Sequence, residues 1–132
     1  MARESVEERT LIIRQKEREL MEKEEGYYRH KRLLEERSVD LDDRRRRLSH
    51  LLEQEREKMS LLLNRYQAHP DEASDFYRDL QGLEEASEQV YRQSIQNLEE
   101  EKQVAMRRFH LEKDQLETEL QGLRREEDDD TN

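Results

Sequence analysis

Apolar residues recur every seven positions through the first part of this chain: Val6, Ile13, Leu20, Tyr27, Leu34, Leu41 and Leu48, without a miss. Seven residues make nearly two turns of α-helix, so these side chains fall on one face; a strand would need alternation in twos. The seam positions between them are polar at first: Glu17, Glu24, Lys31, Ser38 and Arg45. From Leu48 the stripe fills in with Leu52, Met59, Leu62 and Tyr66. A second stripe follows: Phe76, Leu80, Leu83, Tyr91, Ile95, Leu98, Ala105, Phe109, Leu116, Leu120 and Leu123. This is the period of a coiled coil, and strand alternation is nowhere sustained.

One place interrupts the pattern. Pro70 is the only proline, and it disfavours helix at His69 and in its own position. Asp71, Ser74 and Asp75 are good caps for a following helix, and the flanks are rich in Glu, Arg, Leu, Lys and Gln, all strong helix formers. The reading is an all-α chain, a long antiparallel two-helix coiled-coil hairpin. Residues 1–67 form the first helix, 68–74 the turn and 75–124 the second helix. Residues 125–132 are a disordered acidic tail, because acid at a helix C-terminus opposes the macrodipole.

Facing residues in an antiparallel hairpin have numbers that add to a constant. Tyr66 with Phe76, Leu62 with Leu80 and Met59 with Leu83 add to 142. Leu52 with Tyr91, Leu48 with Ile95, Leu34 with Phe109, Tyr27 with Leu116 and Leu20 with Leu123 add to 143. In that register Ile13 faces Asp130 and Val6 faces nothing, so the first arm overhangs the second. Val6, Leu11, Ile12 and Ile13 become an apolar end without an intrachain partner. Met21, Tyr28, Leu33, Val39, Leu51, Leu61, Leu63, Val104, Met106 and Leu111 also lie off the seam. A two-helix hairpin buries one stripe per helix, so these residues predict further helices from outside the chain. Val6, Leu11, Ile12, Ile13, Met21, Tyr28, Leu33 and Val39 are the candidate partner-binding residues.

Composition narrows the function classes. Charged residues make up 45% of the 132 residues and the net charge is −10. A generic nucleic-acid binder needs the opposite balance. Residues 1–67 hold 17 basic against 16 acidic side chains, and residues 68–132 hold 8 against 19. The first half is therefore near neutral and the second strongly acidic, an asymmetry able to steer a partner. No apolar run approaches the ~20 residues of a membrane span. The charged N-terminus shows no secretory signal, and the expected location is the cytoplasm, with co-export beside a cargo as a variant. Without Cys there is no disulfide framework and no thiol chemistry.

Motif chemistry is sparse. His30, His50, His69 and His110 do not stand at helical metal-ligand spacings, and no Gly-rich phosphate loop or nucleophile elbow occurs. No enzyme activity, cofactor or metal is expected. Arg44–Arg47 follow Asp40, Asp42 and Asp43, which predicts three acid-first i,i+4 pairs on a solvated face. A phosphate or acidic-partner patch is the sharper alternative for that run.

The stretch Ala73–Leu80 (ASDFYRDL), the two long arms and the Leu/Glu-rich segment Tyr91–Leu123 resemble the small α-helical proteins encoded beside LXG toxins of Gram-positive type VII secretion systems. The resemblance implies an adaptor or chaperone that binds the helical leader of the toxin and helps target it for export. It implies as partners that leader domain and a second small helical accessory protein. W-x-G and Y-x-x-x-[DE] signals are absent, so the export signal is expected on another subunit. The alternative reading is a self-associating structural coiled coil, such as a phage scaffold or assembly rod.

Overall fold

The computed structural model describes the backbone from Ala2 to Thr131 and the side chains from Ser5 to Asp129. Helix α1 spans Ala2–Arg65, a 3-10 turn spans Pro70–Ala73, and helix α2 spans Ser74–Thr131. No strand occurs among the described residues, and the fold is an all-α helical hairpin. The chain divides into two compact units, Met1–Leu34 with Glu100–Asn132, and Glu35–Glu99. We call the first the terminal unit and the second the turn unit.

Helix α1 ends through its own backbone. The Ala68 N–H donates to the Leu63 carbonyl (2.8 Å) and the Gln67 N–H to the Asn64 carbonyl (3.3 Å). Gln67 has φ 54°, the left-handed conformation of this helix-ending motif, a place glycine usually takes. His69 is extended, as a residue before proline must be, and its Nδ1 accepts from the Asp71 N–H (3.2 Å). Pro70 starts the 3-10 turn, where its missing N–H costs nothing. The sequence places the end of the first helix at residue 67 and the start of the second at 75; the structure ends α1 at Arg65 and starts α2 at Ser74, with the 3-10 turn inside the connection.

In the terminal unit Ile13, Leu34, Phe109, Leu116 and Leu120 are buried. The Tyr27 and Phe109 rings stack in parallel with centroids 4.4 Å apart. Three ion pairs cross between the helices at heptad spacing: Arg9–Glu126 (3.6 Å), Lys16–Glu119 (2.5 Å) and Lys23–Glu112 (2.9 Å). On the other flank the signs reverse, with Glu17–Arg124 at 3.0 Å and Glu24–Lys113 at 3.9 Å. In the turn unit Leu52, Ala73, Leu80 and Leu98 are buried.

These contacts correct the register. Each of the three ladder pairs adds to 135 and the Tyr27–Phe109 stack adds to 136. In this terminal unit the expected constant is 143, so the pairing there is displaced by seven or eight residues. Stripes of period seven fit either way, and charge separates the two. A constant of 143 would set Glu17 against Glu126 and Glu24 against Glu119. The observed register sets Arg or Lys against Glu three times.

Two further expectations change with it. Ile13 is 7% exposed and Val6 is half-buried, so this end of α1 is covered rather than overhanging. The acidic segment expected to be disordered from residue 125 is helical through Thr131, and Asn132 lies outside the described residues. Glu126 has Arg9 of α1 beside it, a cation that offsets the unfavourable placement of acid at that helix end.

Candidate partner-binding surface

The candidate residues fall into two groups. Ile13 belongs to the core and Val6 is half-buried; neither offers a free apolar face. Leu11, Ile12, Met21, Tyr28, Leu33 and Val39 are exposed, Leu11 at 63%. They do not form a single stripe. At ~100° per residue Met21 and Tyr28, seven apart, share a face, and Leu11 and Leu33 lie within about 40° of each other on the back of α1. Tyr28 also meets the Phe109 ring edge-on with centroids 6.2 Å apart, which fixes it beside the seam. On α2 of this unit Val104 and Leu111 are exposed, whereas Met106, expected off the seam, is half-buried.

The turn unit exposes residues that the heptad pattern places inside. Leu48 is 39% exposed, Leu62 47% and Leu83 58%, and Leu51, Leu61, Tyr66 and Val90 are open as well. Leu63, expected outside, is half-buried instead. Leu41, Leu48 and Leu52 on α1 with Leu83, Ala86 and Val90 on α2 line an apolar groove of about 500 Å³. Sequence reasoning missed this groove because it counted Leu48 and Leu83 as seam. Leu83 and Val90 stand one heptad apart, the signal that could have found it.

The seam of the turn unit carries polar chemistry where leucines are lacking. Arg45 donates to Glu88 (2.5 Å), and its guanidinium lies 4.3 Å from the centroid of the Tyr91 ring. The Tyr91 hydroxyl donates to the Asp42 carboxylate. The hydrogen bond to Asp42, with some burial, raises the Tyr91 pKa above the ordinary phenol value. Nearer the turn Arg56 reaches Glu84 (2.6 Å), and that hydrogen bond holds the Glu84 carboxyl below the usual carboxylate range. In the terminal unit Lys23 does the same for Glu112.

The arginine run is divided by this arrangement. Arg44 pairs with Asp40 at 3.1 Å, as its spacing predicts. Asp42 is taken by Tyr91 rather than by Arg46, and Arg46 and Arg47 are exposed. His30 lies 3.9 Å from Glu101, His50 contacts Gln54 at 3.2 Å, and His69 serves the turn. Among the described residues no group of three or more His, Asp or Glu is placed to hold a metal ion. No helix among them is long and apolar enough to cross a membrane.

No family model matches the chain, and no curated protein or solved structure is significantly similar to it.

Proposed function

We propose that this chain is a non-enzymatic helical adaptor that adds two helices to a partner bundle and covers apolar surface there. The observation that carries this reading is the set of large apolar side chains left exposed by the hairpin: Leu11, Met21, Tyr28 and Leu33 in the terminal unit, Leu51, Leu83 and Val90 in the turn unit. Exposed residues of this kind gain about 1.5–3 kcal/mol each on full burial, and helices are the natural cover for a helical face.

The resemblance to the accessory proteins of LXG toxins supplies the partner: the helical leader of a type VII secreted toxin, joined by a second small helical protein. The adaptor meets the leader in the cytoplasm before export, and the export signal sits on another subunit. The exposed apolar residues also suit self-association, which is the second reading.

Co-expression with the leader of a toxin encoded in a neighbouring reading frame tests the proposal. The two should co-purify, and Leu11→Asp with Ile12→Asp, or Met21→Asp with Tyr28→Asp, should weaken the complex while helicity is kept. A chain that forms homo-oligomers and ignores the leader would overturn it in favour of self-association.

A further inference from the structure

The two sides of the turn-unit seam differ in chemistry. On one side Glu84, Glu85, Glu88, Arg92 and Gln96 surround a polar hollow. On the other, Leu48 of α1 faces Leu83, Ala86 and Val90 of α2 across the apolar groove. The two rims of that groove differ as well. Arg44 lines it on α1, and at ~100° per residue Arg47 comes next on the same side of Leu48. Arg44 is held by Asp40 of its own helix, an exposed i,i+4 pair of the kind that contributes little. Arg47 is exposed and has no ion pair among the described residues. Arg45, which lines both sides, is already engaged by Glu88 and the Tyr91 ring. The α2 rim is uncharged: Ala86 lines it, and Gln93 and Gln89 come next round the helix. Toward the turn, Glu55 follows Leu48 and Asp79 follows Leu83 on the same faces, so the basic stretch is local to Arg44 and Arg47.

We propose that this groove seats one amphipathic helix of a partner protein, whose apolar stripe covers Leu48, Leu83 and Val90 and whose carboxylates meet Arg44 and Arg47. The proposal rests on the adaptor reading and gives it a face and a partner chemistry. From Leu41 to Leu52 the groove runs about 16 Å at 1.5 Å per residue, the length of three helical turns. That is enough for an i, i+3, i+7 set of apolar anchors. A carboxylate brought to Arg47 supplies the charge-assisted hydrogen bonds that the chain itself does not, while the anchors take the exposed leucines out of water. A second copy of the chain suits the groove less well. A two-fold contact centred there sets Arg44 and Arg47 against the same arginines of the mate or against its uncharged α2 rim. Neither arrangement brings a carboxylate to them.

The probe is a synthetic helical peptide of about 18 residues, or five turns, with leucines at heptad spacing and a pair of Glu on one flank of the stripe. Its control carries Gln in place of Glu. Fluorescence anisotropy of the labelled peptides against the full chain reads the affinities. The Glu peptide should bind about tenfold more tightly at low salt, an advantage that shrinks toward ~1 M salt, where the Debye length is ~3 Å. Arg44→Gln with Arg47→Gln should abolish that preference and leave the Gln peptide unaffected. Leu83→Gln with Val90→Gln should weaken both peptides about a hundredfold. Circular dichroism checks the fold; should the Gln pair lose helicity, Leu83→Ala with Val90→Ala decides in the same direction, since Ala favours helix. Absence of binding, equal affinity of the two peptides, or a Glu preference that survives the loss of both arginines overturns the proposal. So does a native chain that dimerises and becomes monomeric with Leu83→Gln and Val90→Gln, which would give the groove to a second copy. The titration uses no toxin leader, so the two readings fail separately. Capture of the Glu peptide by a chain that ignores the leader keeps the groove and removes the leader as its partner. A leader complex indifferent to Leu83 and Val90 overturns the groove and keeps the adaptor.

Discussion

Leu33 and Leu34 are neighbours on α1, yet they should respond very differently to the same substitution. Leu34 is 1% exposed and is the largest fully buried side chain, whereas Leu33 is 49% exposed. Leu34→Ala removes three carbons from the seam of the terminal unit. At about 0.8 kcal/mol per buried carbon the transfer loss is about 2.4 kcal/mol, and an unfilled cavity raises it toward about 3–4 kcal/mol. Leu33→Ala removes the same carbons half-wetted, an expected loss of about 1 kcal/mol. Ala is the slightly better helix former, which trims either cost equally. The difference between the variants should therefore be at least about 1.5 kcal/mol, a large share of a stability of about 5–15 kcal/mol. Urea denaturation followed by circular dichroism measures it, with an unchanged slope confirming that the compared states are the same. Equal losses, or a larger one at Leu33, would refute the placement of this face of α1.

Other substitutions follow from the same geometry. Gln67→Gly should stabilise the chain by about 1 kcal/mol, because glycine takes the left-handed conformation without the steric cost of a Cβ; a loss of thermal stability would speak against this helix end. Ile13→Asp should destabilise the hairpin by several kcal/mol, since an unpaired carboxylate would enter a buried position, while Ile12→Asp next to it should leave the thermal midpoint nearly unchanged. The pair Arg56–Glu84 should contribute to pH dependence in one direction. Its carboxyl pKa is lower folded than unfolded, so its stabilisation is full above the ordinary value of about 4.3 and is lost as pH falls through the folded value. Glu84→Gln should flatten acid melting curves; identical pH profiles for the two proteins would show that the pair contributes nothing.

The hairpin was legible because its signals are local. Pro70 forbids a continuous helix, and the helix formers on either side leave no other element to choose. The seven-residue recurrence correctly marked Ile13, Leu34, Phe109 and Leu116 as residues of a seam. It could not set their pairing, because two stripes of period seven match again after every heptad. The information that sets the pairing was in the charges: Arg9, Lys16 and Lys23 against Glu112, Glu119 and Glu126. The end of α1 was hidden for a different reason, since Gln67 occupies a position where glycine would have announced itself. Of the partner-binding candidates, those off the stripe, such as Leu11, Met21 and Leu33, are exposed as their spacing predicts. Ile13 is not, because its availability depended on the register.

The register of the terminal unit decides which residues are left for a partner, and one pair of disulfide variants measures it. Tyr27→Cys with Phe109→Cys replaces by thiols the two rings that stack with centroids 4.4 Å apart. Leu34→Cys with Phe109→Cys places them a heptad apart, an extra offset of about 10.5 Å along the helix. The first pair is expected to oxidise rapidly within one chain at low salt while the second stays reduced. Rapid closure of the 34/109 pair alone would contradict the observed register and return Ile13 to the apolar end.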